Sequence, residues 1–76
     1  MMGTYYFNVH CDGFELTDIV GEVLPGVDEA RAEACRTARA LIQDEMLNGR
    51  MPQGWIEVED EEHRPVMVVP LRDAAS

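Results

Sequence analysis

Along Thr4-Tyr5-Tyr6-Phe7-Asn8-Val9-His10 the residues sort by parity: Tyr5, Phe7 and Val9 share one face, and Tyr6, Asn8 and His10 the other. Aromatic and β-branched residues at a period of two predict a first strand. Asp12-Gly13 is a turn signal, and Phe14-Glu15-Leu16-Thr17 returns as a short second strand. From Val27 to Leu47 the period changes. Val27, Ala30, Ala34, Ala38, Leu41 and Ile42 fall on one helical stripe, with no glycine or proline before Gly49. Between these elements Asp18 to Gly26 is a connection, and Pro25-Gly26 blocks an earlier helical start. Val23 and Leu24 are expected to tuck under the sheet or the helix start. Asp28 and Glu29 suit the positive end of the helix dipole. Asn48-Gly49 supplies the stop, with Pro52 just beyond.

Alternation resumes in Trp55-Ile56-Glu57-Val58-Glu59, with Ile56 and Val58 inward. Asp60 to Arg64 reads as a polar turn, and Val66-Met67-Val68-Val69-Pro70-Leu71 as a last strand that is apolar on both faces. Asp73 to Ser76 is expected to fray. The resulting order is ββαββ. The predicted fold is a single α+β domain over residues 1–76, one helix on one face of a four-stranded, mainly antiparallel sheet. The alanine ridge lets the helix lie close to Tyr5, Phe7, Val9, Ile56 and Val58. One helix covers one face only. The other face shows Tyr6, His10 and Trp55, plus either Val66 and Val68 or Met67, Val69 and Leu71. The candidate interface is Tyr6, His10, Trp55, Met67, Val69 and Leu71, more apolar surface than a small monomer usually leaves wet.

Composition sharpens this expectation. At 76 residues the chain is near the size at which one core barely suffices, and such domains often gain stability by disulfides, metal or self-association. Two cysteines, Cys11 and Cys35, make no disulfide framework and read as reduced thiols. The formal charge is -9, with six arginines and no lysine. Direct nucleic-acid and anionic-membrane partners need clustered cations, so both are disfavoured. Lysine-dependent covalent chemistry is excluded. No segment reads as a secretion signal or membrane span, and a cytoplasmic location is the expectation.

Candidate chemistry is sparse. Glu57, Glu59, Asp60, Glu61, Glu62 and His63 are the densest group of potential ligands, but they lack calcium-loop spacing and read as a solvated turn. Neither zinc spacing nor a phosphate-binding glycine pattern is present. His10 and Cys11 are strand neighbours on opposite faces, which leaves Cys35 with His63 as the remaining thiol–imidazole pair. No cofactor, metal site or catalytic residue is assigned.

Tyr5-Tyr6-Phe7-Asn8-Val9, Asp12-Gly13, Asp18-x-x-Gly21-x-x-Leu24-Pro25, Ala30-Arg31-Ala32-Glu33-Ala34, Ile56-x-Val58-x-Asp60-Glu61 and Val69-Pro70-Leu71-Arg72-Asp73-Ala74 together resemble short acidic alphaproteobacterial proteins catalogued as a domain of unknown function. His63 stands where such proteins usually place a turn glycine. The resemblance implies a bacterial cytoplasmic protein and carries no activity. A looser similarity is to HicB-type antitoxins, which are also small and acidic. The expected function is a non-catalytic, homodimeric interaction module with a regulatory or accessory role. The alternative is an inhibitor that neutralises a basic partner such as a ribonuclease toxin.

Overall fold

The computed structural model describes residues Met2–Ala74, and the elements run in the order strand, strand, strand, helix, strand, strand, helix. Strand β1 (Gly3–Cys11) is the hub. It pairs antiparallel with β2 (Phe14–Leu16) and with β4 (Gly54–Glu59), and β4 pairs in turn with β5 (Pro65–Pro70). The protein is α+β, as its periodicities predict: helix α1 (Val27–Met46) covers one face of an antiparallel sheet ordered β2-β1-β4-β5.

The core follows from the register. Phe7 stands opposite Val58 and Val9 opposite Ile56, so all four side chains share a face. Ile56 and Val58 are fully buried there, and Ala30, Ala34 and Ala38 on α1 reach zero exposure against the same layer. Methyl-sized side chains on this ridge allow close packing onto the sheet, with Tyr5 and Phe7 filling the flank.

Three expectations are corrected. The connection after β2 contains a further strand, β3 (Glu22–Leu24), paired with Gly3–Tyr5 of β1. Three residues with one outward valine are too short to show a period. Leu24 packs on the core, whereas Val23 is exposed. Second, the expected tail begins with a helical turn, α2 (Leu71–Ala74), whose Leu71 and Ala74 are buried beside α1; Ala75 and Ser76 lie outside the described residues. Residues i and i+3 share a helical face, so one turn inserts both. Third, Met67, Val69 and Leu71 do not belong to the open face. Val69 stands opposite Ile56 and Met67 opposite Val58, so they turn toward the helix with their partners. Leu71 is fully buried, Val69 nearly so, and Met67 packs against the same cluster.

Gly54 opens β4 at a point where the sequence offers only a glycine ahead of a strand. Its φ is +150°, and a Cβ there would stand 1.9 Å from the His10 carbonyl oxygen. Backbone crosses backbone at this position, and no side chain fits.

Candidate functional site

No helix among the described residues packs over the second face of the sheet, though residues 18–21 lie against its β1 part: Asn8 is buried there and accepts the Asp18 N–H, and Gly21 abuts Thr4 and Tyr6. Its rows follow the register: Glu15, His10, Trp55 and Pro70 across one row, then Asn8, Glu57 and Val68, then Tyr6 and Glu59. The face divides in two. Its β5 half is apolar, with Trp55 at 43%, Val66 at 39% and Val68 at 52% exposure. A groove of about 350 Å³ runs beside Trp55, lined by Met51, Pro52, Val68, Pro70 and Arg72 among others. The half toward β1 and β2 carries Glu15, Glu57 and Glu59 with both histidines of the chain.

Each histidine stacks on an aromatic ring. His10 lies 5.2 Å from Trp55 between ring centroids, with planes 21° apart. His63 lies 4.3 Å from Tyr6 at 28°. Carboxylates flank both imidazoles: Glu15 at 3.7 Å and Glu57 at 3.9 Å for His10, and Glu59 at 3.4 Å for His63. His63 reaches Tyr6 with φ 62°, the left-handed conformation that a turn glycine adopts without strain. His63 therefore keeps a glycine-like backbone and adds a ring.

Three aspartates serve the backbone. β2 and β3 leave a gap along β1, and the Asp18 carboxylate fills it. Its Oδ2 accepts the Phe7 N–H at 3.1 Å, and its Oδ1 accepts Val20 and Gly21 at 3.0 Å each. The Asn8 side-chain Oδ1 accepts the Asp18 N–H at 2.9 Å, which closes a two-way link. Burial alone would raise the Asp18 carboxyl, but donation from Gly21, Phe7 and Val20 outweighs it and holds the group below the usual range. Gly21 is pressed onto this edge at φ +75°, where a Cβ would come within 3 Å of Thr4 and Tyr6. Asp12 accepts the Gln53 N–H and donates its own N–H to the Gln53 carbonyl, both at 3.0 Å. Asp60 accepts from Glu62 and Arg64 within the last turn.

The opposite edge is guarded differently. β5 is bounded by Pro65 and Pro70 and carries a register shift opposite Val58/Glu59. Proline and bulges both discourage strand addition. Edge pairing with a second chain is therefore disfavoured along β5 and along the part of β1 that Asp18 closes.

Of the candidate interface residues, Tyr6, His10 and Trp55 are brought together on the open face, joined by Val66, Val68 and Pro70 in place of the inward set. The choice between the two sets was invisible along a strand whose both faces are apolar. The remaining thiol–imidazole pair is separated: Cys35 packs against the core on the helix side, and His63 stacks on Tyr6 across the sheet. Burial, followed by the adjoining Asp12 carboxylate, pushes the Cys11 thiol up, away from nucleophilic character. Among the described residues no three acidic, histidine or cysteine side chains converge as metal ligands. Among the described residues no helix is long and apolar enough to cross a membrane.

The family model for a domain of unknown function, DUF6894, matches residues 4–72. The chain belongs to that family. It matches no curated protein and no solved structure. The matched span runs from Thr4, the second residue of β1, to Arg72 in α2, so it includes both faces of the sheet.

Proposed function

We propose that this DUF6894 domain is a small, non-catalytic interaction module that self-associates as a homodimer through its helix-free sheet face, in a regulatory or accessory role in the cytoplasm. The observation that carries this reading is the apolar half of that face. Trp55, Val66 and Val68 stand exposed beside Pro70 and an open groove, with the β5 edge bounded by prolines and a register shift. Exposed apolar surface of this kind, on a domain with so small a core, gains free energy by being covered. A face-to-face pair matches apolar half to apolar half and leaves the carboxylates at the rim, where water screens them.

Light scattering on a size-exclusion column tests the reading. The expected mass is twice the 8.6 kDa of one chain. Val68→Arg, whose guanidinium would stand across the strand pair from Glu57, is expected to give monomer with the stability of the fold changed by no more than about 0.5 kcal/mol, as for other surface substitutions. A monomeric parent at high micromolar concentration would overturn self-association.

A second reading is favoured by Glu15, Glu57 and Glu59 on the same face of a chain of charge -9. A basic protein would find a complementary field there. An inhibitor or HicB-like antitoxin covering a basic ribonuclease is the concrete form. Purification from the native cell separates the two: a small basic protein held in a salt-sensitive complex supports this second reading, and self-association insensitive to salt supports the first.

A further inference from the structure

Trp55 stands between two cavities of opposite character. In its row across the sheet, His10 of β1 lies on one side and Pro70 of β5 on the other. The cavity on the His10 side is lined by Asp12 and Glu15 as well as Trp55. The groove on the Pro70 side, of about 350 Å³, has no carboxylate in its lining, and its charged group is Arg72. With fifteen acidic residues in a chain of 76, that lining departs from the surface around it. Three further cavities, beside Cys11, Thr4 and Phe7, each carry two or more acidic side chains. We propose that the groove beside Trp55 binds a small carboxylate with an apolar, ring-sized body.

Charge complementarity carries the argument. Arg36, Arg50 and Arg64 are each held by a carboxylate, whereas Arg72 forms no ion pair among the described residues. Asp73, its neighbour in the chain, is not part of the groove. The net charge of -9 opposes an anion at long range, but salt screens that field beyond about 8 Å, and the charge lining the groove is positive. A guanidinium presents paired N–H groups that match a carboxylate. The indole N–H of Trp55 and the side-chain amide of Gln53 line the same groove and make no hydrogen bond among the described residues. Both are donors that an anion can use. The rest of the lining is hydrocarbon: Met51, Pro52, Val68 and Pro70 flank the indole, and the two prolines offer no N–H. The volume equals roughly a dozen waters at about 30 Å³ each, which suits a ligand of about ten non-hydrogen atoms. A cation of the same shape would meet Arg72 and is suited to the acidic cavity across the indole instead.

Trp55 is the only tryptophan, so a single indole N–H resonance reports on the groove. Titration of isotope-labelled protein with phenylacetate at neutral pH is expected to shift that resonance and the backbone amides of Gln53, Gly54 and Val68 to saturation. The expected dissociation constant is about 1–10 mM, the range for a ligand of this size. Phenylacetamide has the same shape without the charge and should bind at least about fivefold more weakly. Arg72→Gln should lower phenylacetate to the affinity of the amide and leave binding of the amide unchanged. Arg72 is exposed, and the dispersion of the variant's spectrum establishes that it is folded. Four results would each overturn the proposal: no saturable shift, shifts centred on the His10 side, equal binding of the two probes to the parent, or a preference for phenylacetate that survives in Arg72→Gln. The inference does not rest on self-association, which stands or falls by the mass from light scattering.

Discussion

Val58 and Glu57 are neighbours on β4, yet one is fully buried and the other stands in the open, against His10. The contrast extends across the whole sheet. On the helix side, Phe7, Val9, Ile56, Val58, Met67 and Val69 meet an alanine ridge, and shape complementarity fixes the spacing. On the other side the same strands carry Tyr6, His10, Trp55, Glu57 and Val68, with ring stacking and an imidazole–carboxylate approach of 3.9 Å between His10 and Glu57. The difference teaches where stability and function separate in a domain this small. The covered face supplies the fold. Substitution on the open face is cheap for the fold, and on the proposed reading it acts on association instead.

The strongest way to break this comparison is Ile56→Ala. A fully buried side chain lost beneath the helix should cost about 2–5 kcal/mol in urea denaturation. A loss as small as that for Val68 opposite would mean that the two faces are not unequal.

Ala34→Leu tests the ridge from the other direction. Ala34 has no exposed surface, so the added carbons must push the helix off the sheet, at about 1–3 kcal/mol. An unchanged melting temperature would place the tight contact elsewhere.

Asp18→Ala probes the seam between the faces and sharpens the comparison. Removing the acceptor of three backbone N–H groups should cost about 1–2 kcal/mol, because these donors regain water in part. Its carboxyl lies below the ordinary range when folded. Its stabilising contribution is therefore complete above the unfolded value and is lost as pH falls through the folded one. Urea midpoints measured from pH ~5 down to ~2 should fall less steeply in the variant than in the parent. Parallel acid limbs would assign that slope to other carboxylates.

Much of the architecture was legible. Helix α1 showed its period, its close-packing stripe and its stop, because alanine spacing and helix formers act locally. β1 and β4 showed which side faced the core, because their two faces differ in polarity. β5 did not: valine and methionine alternate with valine, and only the pairing of Ile56 with Val69 chose a side. β3 and α2 are too short to carry a period, and each forms because a neighbour supplies hydrogen bonds or a cavity. The candidate site was half legible. Tyr6, His10 and Trp55 follow from parity, whereas Asp18 and Gly54 take their roles from backbone that lies distant in sequence.

By itself the sequence determined the elements with a strong period, the acidity of the surface and an excess of apolar positions over what one helix can cover. Those properties are local or additive, so a chain carries them before it folds. Tertiary structure alone decided which half of the last strand faces outward and which carboxylate closes the β1 gap. It also brought both histidines onto aromatic rings on one face. Each of these depends on a register between segments far apart in the chain, and register is set only when the buried face is chosen.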